Sequence, residues 1–325
     1  MTLLVLCDHD RGVVSDSAYE ALTFAKPISE NENISLQAVL IGEGAEEAAK
    51  SIISFGVEIV NVATHECLTD YGPEIWSETL TQIANENSAK IIVSSGTDRG
   101  NEVLAHVAAR LEMPFLANCR RIEIDGVSSS ATRIQWGGSL LEDVTSNAEV
   151  QIFSVEHHSI DPEALSASGG GSVVDFEPDL DPQLTRTLVV DRVVRTHGIT
   201  LTTAPVVVGG GRGVGSAEGF ASLEELAEEI GGVVGCSRAV TNNGWRPHSD
   251  QVGQTGTRIA PEIYIASGIS GAIQHWVGAM AAKNILAINT DPEANMVTKA
   301  GYAVLGDLHE VIPAITAEIR NRREA

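Results

Sequence analysis

Short apolar runs alternate with amphipathic segments along most of this chain, and this alternation restricts the possible folds more than any other feature. The strand-like runs of the first half are residues 2–7, 35–42, 57–63 and 90–95. Those of the second half are residues 205–210, 233–237, 262–268, 284–289 and 302–307. Segments with helical spacing separate the runs. Repeated strand–helix units favour parallel sheets covered on both faces, so the sequence predicts an α/β protein with two doubly wound domains.

Two regions interrupt this alternation of strands and helices, and they determine the predicted domain boundary. Residues 121–156 contain an Asp-Gly turn signal and β-branched runs, which predict antiparallel strands that close the first domain. Residues from about 157 to 184 are rich in Ser, Gly, Asp and Pro, and we expect an exposed connector there, followed by a strand over 185–195. We therefore predict a nucleotide-binding-like N-terminal domain over 1–193 and a smaller Rossmann-like C-terminal domain over 194–325.

The charge balance excludes several classes of partner. The chain of 325 residues carries 44 acidic and 21 basic residues, a formal net charge of −23, and 4% aromatic residues. Such a surface repels phosphate backbones and anionic lipids, so no nucleic-acid partner is expected. The excess of carboxylates indicates a halophilic source, in which salt screens the self-repulsion of the surface. An ordinary acidic cytosolic protein is the alternative.

The cysteines and the hydropathy pattern indicate a cytoplasmic protein. The four cysteines lie far apart without a Cys-x-x-Cys pair, which is typical of reduced thiols rather than of a disulfide framework or a zinc site. No apolar stretch approaches the roughly 18 residues that a membrane-spanning helix requires. We therefore expect no direct membrane insertion and no metal site.

A glycine-rich loop follows the first strand of the second half. Residues 206–220 read VVVGGGRGVGSAEGF. Such a loop lets the backbone approach a phosphate group closely, although most glycine-rich loops are simple turns. The loop is not a dinucleotide fingerprint, since Ser216 replaces the third glycine, and it is not a P-loop. Arg212, within the loop, requires an anionic ligand or a salt bridge in a chain of this charge.

Polar side chains are predicted where the strands of the second half end. They are Ser237 and Arg238 after one strand, Ser270, Gln274 and His275 after a second, and Asn289 and Asp307 at the ends of two more. Because the carboxyl ends of parallel strands share one edge, we expect this set to hold a large dinucleotide through neutral polar groups and one or two arginines. No catalytic residue is predicted. For His275 alone, a packed or solvated histidine is the alternative interpretation.

Two long motifs in the second half resemble the alpha subunit of electron transfer flavoprotein. They are QVGQTG at residues 251–256 and PEIYIASGISGAIQH at residues 261–275, and the shorter AINTD follows at 287–291. The Gly211-Arg212-Gly213 loop, Ser237-Arg238 and Gly306-Asp307-Leu308 occur in the matching order and spacing. The resemblance is specific over the C-terminal domain, whereas the N-terminal domain matches only in length and layout.

The resemblance implies a heterodimer with a beta subunit and FAD held mainly by the C-terminal domain. It implies that Arg238 lies against the isoalloxazine ring, that Thr255 lies near N5 and that His275 lies near the C2 carbonyl. An arginine and a histidine at these positions favour the negative charge of the reduced flavin. The full set of implied FAD contacts is Arg212, Ser237, Arg238, Gln251, Gly253, Gln254, Thr255, Gly256, Ser270, Gly271, Ala272, Ile273, Gln274, His275, Asn289, Asp307 and Leu308.

The implied activity is electron transfer without an organic substrate of the protein's own, so the protein is predicted to be an electron carrier and not an enzyme. By the resemblance it accepts electrons from flavin dehydrogenases, such as the acyl-CoA dehydrogenases of fatty acid beta-oxidation, and delivers them to a membrane quinone oxidoreductase. Three alternatives stay open: an electron-bifurcating variant that uses NADH, a flavoenzyme with its own organic substrate, and an adenine-nucleotide-binding regulator. For a flavoenzyme, loop 241–256 offers only His248 and Asp250 as an acid or base.

Overall fold

The computed structural model describes residues 1–138, 140–164, 170–187, 189 and 199–324. The chain divides into two compact units, residues 1–136 with 140–193 and residues 137–139 with 194–325. The N-terminal unit contains a mixed sheet with a parallel core, the C-terminal unit contains a parallel sheet, and both contain helices, so the predicted α/β class is confirmed. Most of the strand predicted over 185–195 lies outside the described residues.

The N-terminal unit is built on a nine-stranded sheet. The strands of the whole unit, two of them outside this sheet, are β1 (Thr2–Leu6), β2 (His9–Asp10), β3 (Val13–Val14), β4 (Ser35–Ile41), β5 (Ile59–Ala63), β6 (Ala89–Ser95), β7 (Phe115–Asp125), β8 (Ser128–Gln135), β9 (Leu140–Asn147), β10 (Gln151–Val155) and β11 (Ser172–Phe176). Its helices are α1 (Asp16–Glu32), α2 (Ala45–Ile52), α3 (Pro73–Glu86) and α4 (Asp98–Leu111). The sheet order is β11-β5-β4-β1-β6-β10-β7-β8-β9, and β2 and β3 form a separate hairpin.

Strand β1 lies in the interior of this sheet, and its apolar run is buried on both sides. Leu3 and Val5 pack into the core cluster that contains α1 and α2. Leu4 and Leu6 pack into the cluster that contains α3 and α4. Side chains alternate between the two faces of a strand, so a continuous apolar run fits a sheet that is covered by helices on both faces.

Two predictions for this unit were wrong in part. Residues 121–156 are not wholly antiparallel: β7 and β8 pair antiparallel, as do β8 and β9, but β10 lies between β6 and β7 and pairs parallel with both. All five residues of β10 are buried, because an interior position removes its apolar side chains from water. The predicted connector 157–184 contains β11, which pairs parallel with β5 and so satisfies backbone groups at the edge of the sheet.

The C-terminal unit contains a five-stranded sheet in which every pairing is parallel. Its strands are β12 (Val206–Gly210), β13 (Val233–Cys236), β14 (Ile263–Ser267), β15 (Asn284–Asn289) and β16 (Tyr302–Leu305). Its helices are α5 (Ala221–Glu229), α6 (Arg238–Asn242), α7 (Ile273–Ala279), α8 (Asn295–Lys299) and α9 (Leu308–Glu324). The order β13-β12-β14-β15-β16 brings the ends of β12 and β14 together, next to β13.

The four cysteines are free thiols, as predicted. Within the part of the chain that the structure describes, no helix is long and apolar enough to cross a bilayer.

Candidate functional site

A cleft of about 510 Å³ lies at the carboxyl edge of the C-terminal sheet. The segments that follow β12, β13, β14 and β15 form its walls, because the chain leaves the sheet at this edge after each strand. The cleft is lined by Arg212, Gly213, Ser237, Arg238, Ala239, Asn242, Gly268, Ile269, Ser270, Gly271, Ala272, Gln274, His275, Asn289, Asp291 and Ala294.

Arg212 reaches the cleft because the glycine-rich loop crosses the segment after β14 at close range. A Cβ atom on Gly211 would lie 2.1 Å from the carbonyl oxygen of Gly268, so only glycine fits there. The backbone N–H of Gly211 donates to the Ser267 carbonyl, which fixes the crossing. The loop therefore directs the residue that follows Gly211 to the rim of the cleft.

Both arginines of the cleft are exposed. Among the described residues, neither Arg212 nor Arg238 has an ion pair or a side-chain hydrogen bond. Other arginines of this unit are paired: Arg246 contacts Glu224 at 2.6 Å and Asp250 at 2.9 Å. Two guanidinium groups that are not neutralised within a chain of net charge −23 make the cleft suited to an anion.

The turn before α7 depends on a second close approach of the backbone. Gly271 has φ of +75°, and a Cβ atom at this position would lie 2.3 Å from the backbone nitrogen of Met296. The Met296 N–H donates to the carbonyl of Ser270. This contact ties the turn to α8 and leaves Ser270, Ala272 and Gln274 exposed at the cleft.

His275 lies at the inner wall of the cleft and is buried, with 7% of its surface exposed. Its Nε2 atom is 2.8 Å from the hydroxyl of Tyr264, which is fully buried in β14. Burial, partly offset by the Val252 backbone, lowers the pKa of His275 to about 4. The ring is therefore neutral near pH 7, and His275 can act as a hydrogen-bond donor or acceptor but not as a cation.

The QVGQTG loop supports the cleft from outside its wall. Gln251 is buried, accepts a hydrogen bond from Thr241 at 2.8 Å and donates to Thr255 at 3.0 Å. The backbone N–H of Gln254 donates to the Gln274 carbonyl at 2.7 Å. The loop is thus fastened to the first turn of α7, while the side chains of Gln254 and Thr255 remain exposed.

The residues predicted for the adenosine end have structural partners. Asn289 lines the cleft, but its Nδ2 donates to the Ile269 carbonyl at 3.0 Å and its Oδ1 accepts from the Asp291 N–H at 3.1 Å. Asp307 caps α9 by accepting from the His309 N–H at 2.9 Å. Leu308 is buried in the core.

The structure brings nine of the predicted residues to the cleft wall. These are Arg212, Ser237, Arg238, Ser270, Gly271, Ala272, Gln274, His275 and Asn289. The other predicted residues do not line the cleft: Gln251, Gly253, Gln254, Thr255, Gly256, Ile273, Asp307 and Leu308.

Seven residues of the wall were not predicted from the sequence: Gly213, Ala239, Asn242, Gly268, Ile269, Asp291 and Ala294. Helical spacing could have indicated Asn242, which lies four residues after Arg238 on α6. Asp291 follows Asn289 by two residues and lies in the same turn, where its Oδ1 accepts from the Glu293 N–H at 2.9 Å.

The possible acid and base in loop 241–256 do not line the cleft. Asp250 pairs with Arg246, and His248 is exposed at the start of a single 3₁₀ turn, His248–Asp250.

A parallel sheet with a cleft suited to an anion at its carboxyl edge is typical of the α/β proteins that bind nucleotide cofactors. Comparison with known families is more specific. Residues 200–280 match the electron transfer flavoprotein FAD-binding domain, and residues 3–181 match the electron transfer flavoprotein domain.

Curated relatives match over nearly the whole chain. The electron transfer flavoprotein subunit alpha of Thermoanaerobacterium thermosaccharolyticum is 33% identical over 320 residues, with 97% of each chain covered. That of Bacillus subtilis is 32% identical, with 98% of this chain and 97% of the relative covered. Protein FixB of Bradyrhizobium diazoefficiens is 34% identical, with 98% of this chain and 88% of the relative covered. The chain belongs to the electron transfer flavoprotein alpha subunit family, and its cofactor is FAD.

Proposed function

We propose that this chain is the FAD-holding subunit of a two-subunit electron carrier, with a beta subunit of the same family as its partner. The proposal rests on one observation: Arg212 and Arg238 are both exposed at the same cleft. Neither arginine forms an ion pair with a described residue. When bound, FAD supplies the one- and two-electron redox chemistry, and the protein supplies binding and electrostatics.

The cleft residues fit the chemical groups of FAD. Arg212 and the exposed turn at Ser270 suit the pyrophosphate, which carries the negative charge of the cofactor. Arg238 suits the negative charge that a reduced flavin carries, and a neutral His275 can hydrogen-bond a carbonyl. Asn289 is proposed to contact the adenosine end while its own hydrogen bonds hold the turn in place.

The remaining predicted residues are proposed to act mainly by positioning the wall. Gln251 holds Thr255 by a hydrogen bond. Gly253 allows the loop to run close to α7, since its φ of +144° is one that other residues rarely adopt. Asp307 and Leu308 fix the start of α9 beside Gly268, whose Cβ position lies 2.8 Å from a Leu308 methyl group. Thr255 and Gln254 are exposed, so their side chains are available to a bound flavin.

An electron carrier is favoured over a flavoenzyme because the curated relatives are electron transfer flavoprotein subunits, and because the two groups of the wall that could move a proton each already make a hydrogen bond within the protein. His275 is neutral and hydrogen-bonded to Tyr264, and Asp291 accepts the Glu293 N–H. A flavoenzyme acting on its own organic substrate generally needs a group that moves a proton beside the ring. We further propose that flavin dehydrogenases donate the electrons and a membrane quinone oxidoreductase accepts them.

The test is to purify the chain together with its beta subunit and measure the absorption spectrum and the FAD content. We expect one FAD held by this chain and, for Arg238→Met, a lower flavin midpoint potential in a redox titration, because a cation no longer stabilises the reduced form. Arg258→Met is the matched control, since Arg258 does not line the cleft. A colourless complex, or an unchanged potential in Arg238→Met, would contradict the proposal.

The electron donor is tested separately. An acyl-CoA dehydrogenase with its acyl-CoA substrate should reduce the flavin, whereas the acyl-CoA alone should not. Reduction by NADH without any dehydrogenase would instead favour the bifurcating alternative. Turnover of an organic substrate by the purified complex alone would favour a flavoenzyme.

A further inference from the structure

We propose that Glu20, His157 and His158 in the N-terminal unit form a binding site for a divalent transition-metal cation of the zinc class. Glu20 lies on α1, and the two histidines follow β10. One possible ligand atom from each of the three side chains lies within 4.8 Å of the other two. The site is made entirely from this unit, so it does not depend on the proposed FAD cleft.

The three side chains are held against one another rather than spread over a surface. The His158 Nδ1 atom is 3.5 Å from Glu20 Oε1, and the His158 backbone N–H donates to Glu20 Oε2 at 2.8 Å. The two imidazole rings are stacked with their centroids 3.6 Å apart. Glu20 is buried, and the His158 side chain is 13% exposed.

One atom of this cluster has no partner. His158 Nε2 is buried and makes no hydrogen bond among the described residues. A buried polar atom without a partner costs roughly 1–3 kcal/mol, so a ligand at this ring is favoured, although the atom that faces Glu20 is Nδ1 and not Nε2. His158 also has φ of +60°, an uncommon conformation for a residue other than glycine.

The donor set indicates the class of cation. Two imidazoles and one carboxylate are typical ligands of zinc and neighbouring transition metals, whereas calcium and magnesium prefer oxygen ligands alone. Ligands at about 2.1 Å from a tetrahedral ion lie roughly 3.4 Å apart, which is close to the 3.5 Å between His158 Nδ1 and Glu20 Oε1. A water molecule would supply the fourth ligand.

The position of the site indicates a structural role. The segment that contains the histidines lies along α1, where the Glu163 N–H also donates to the Thr23 hydroxyl at 3.0 Å. A cation shared between α1 and this segment would fasten the chain beyond β10 to the helix. We expect bound metal to raise the midpoint temperature of unfolding.

The test uses the full chain without a histidine tag, stripped with a chelator and titrated with Co²⁺ and then Zn²⁺. We expect about one ion per chain, the intense visible absorption bands of tetrahedral cobalt, and displacement of cobalt by zinc. His157→Phe keeps a stacked ring, and Glu20→Gln keeps an oxygen for the His158 N–H; each should weaken binding about 100-fold or more. His309→Gln, an exposed histidine on α9, is the control and should bind within about twofold of the parent.

Two results would overturn the site. One is a cobalt spectrum without tetrahedral bands. The other is equal metal affinity in His157→Phe, Glu20→Gln and the parent, with all three folded by circular dichroism; the cluster would then be an ordinary Glu20–His158 ion pair with a stacked neighbour.

Discussion

Each of the two units has a crevice at the carboxyl ends of parallel strands, but carboxylates predominate in one crevice and arginines in the other. In the N-terminal unit a crevice of about 410 Å³ follows β4 and β5 and is lined by Glu43, Glu46 and Glu47. In the C-terminal unit the cleft contains Arg212 and Arg238. Because both crevices lie at the carboxyl ends of parallel strands, the side chains at the strand ends determine which crevice suits an anion.

The two units also differ in how they use their arginines. Arg99, at the carboxyl edge of the N-terminal sheet, lies 3.5 Å from Asp8 and 4.9 Å from the centre of the Tyr71 ring. This arginine offsets the cost of a largely buried carboxylate. The arginines of the C-terminal cleft offset no charge among the described residues, so they add little to stability and remain available to a ligand.

The largest expected effect follows from reversing one charge in the cleft. Arg212→Glu should weaken FAD binding roughly 1000-fold, about 4 kcal/mol, because the cation proposed to lie beside the phosphates is replaced by an anion. Arg322→Glu changes the net charge equally, but its side chain lies on α9 and pairs with Glu318. Fluorescence titration of the FAD-free protein measures both affinities. Similar losses in the two variants would mean that net charge, and not the cleft, governs binding.

The second prediction concerns acid stability. The pKa of His275 is lowered to about 4, so between pH 6.5 and pH 4 the unfolded chain binds a proton at this residue that the folded chain does not. The contribution of a neutral His275 to the free energy of unfolding is therefore fully present above pH 6.5. About 3 kcal/mol of this free energy is lost as the pH falls to 4. Urea denaturation at a series of pH values measures this slope, and His275→Gln should remove it.

His9 in the N-terminal unit is the matched control for this measurement. Its ring is also buried, and its pKa is lowered by that burial, but the Ile41 carbonyl and Asp8 favour the protonated form and oppose the shift. His9→Gln should therefore remove less of the acid slope than His275→Gln. If His9→Gln flattens the curve more than His275→Gln does, burial does not keep the His275 ring neutral.

The sequence indicated the carboxyl edge of the C-terminal sheet and its two arginines. It could not indicate which predicted residues support the cleft wall through hydrogen bonds instead of lining it. Glycine spacing and polar residues at strand ends were sufficient to find Arg212, Ser237 and Arg238. Buried hydrogen bonds such as Tyr264–His275 depend on contacts between residues distant in sequence, which periodicity does not report. The strand β11 was not predicted for the same reason. This short run between polar residues becomes a strand because it pairs with β5, which is distant in sequence.

The smallest expected effect tests the structural use of arginine in the N-terminal unit. Arg99→Met should lower the free energy of unfolding by about 1.5 kcal/mol, since burial already raises the pKa of Asp8 and Arg99 is the main group that opposes the rise. Adding Asp8→Asn to Arg99→Met should recover part of the loss, because the buried group no longer needs a counter-charge. In the C-terminal unit, Arg212→Met should change the stability of the FAD-free protein by less than about 0.5 kcal/mol. Chemical denaturation of the parent and these three variants measures the differences in the free energy of unfolding. If Arg99→Met and Arg212→Met lost equal stability, both arginines would be structural and the distinction between the two crevices would be wrong.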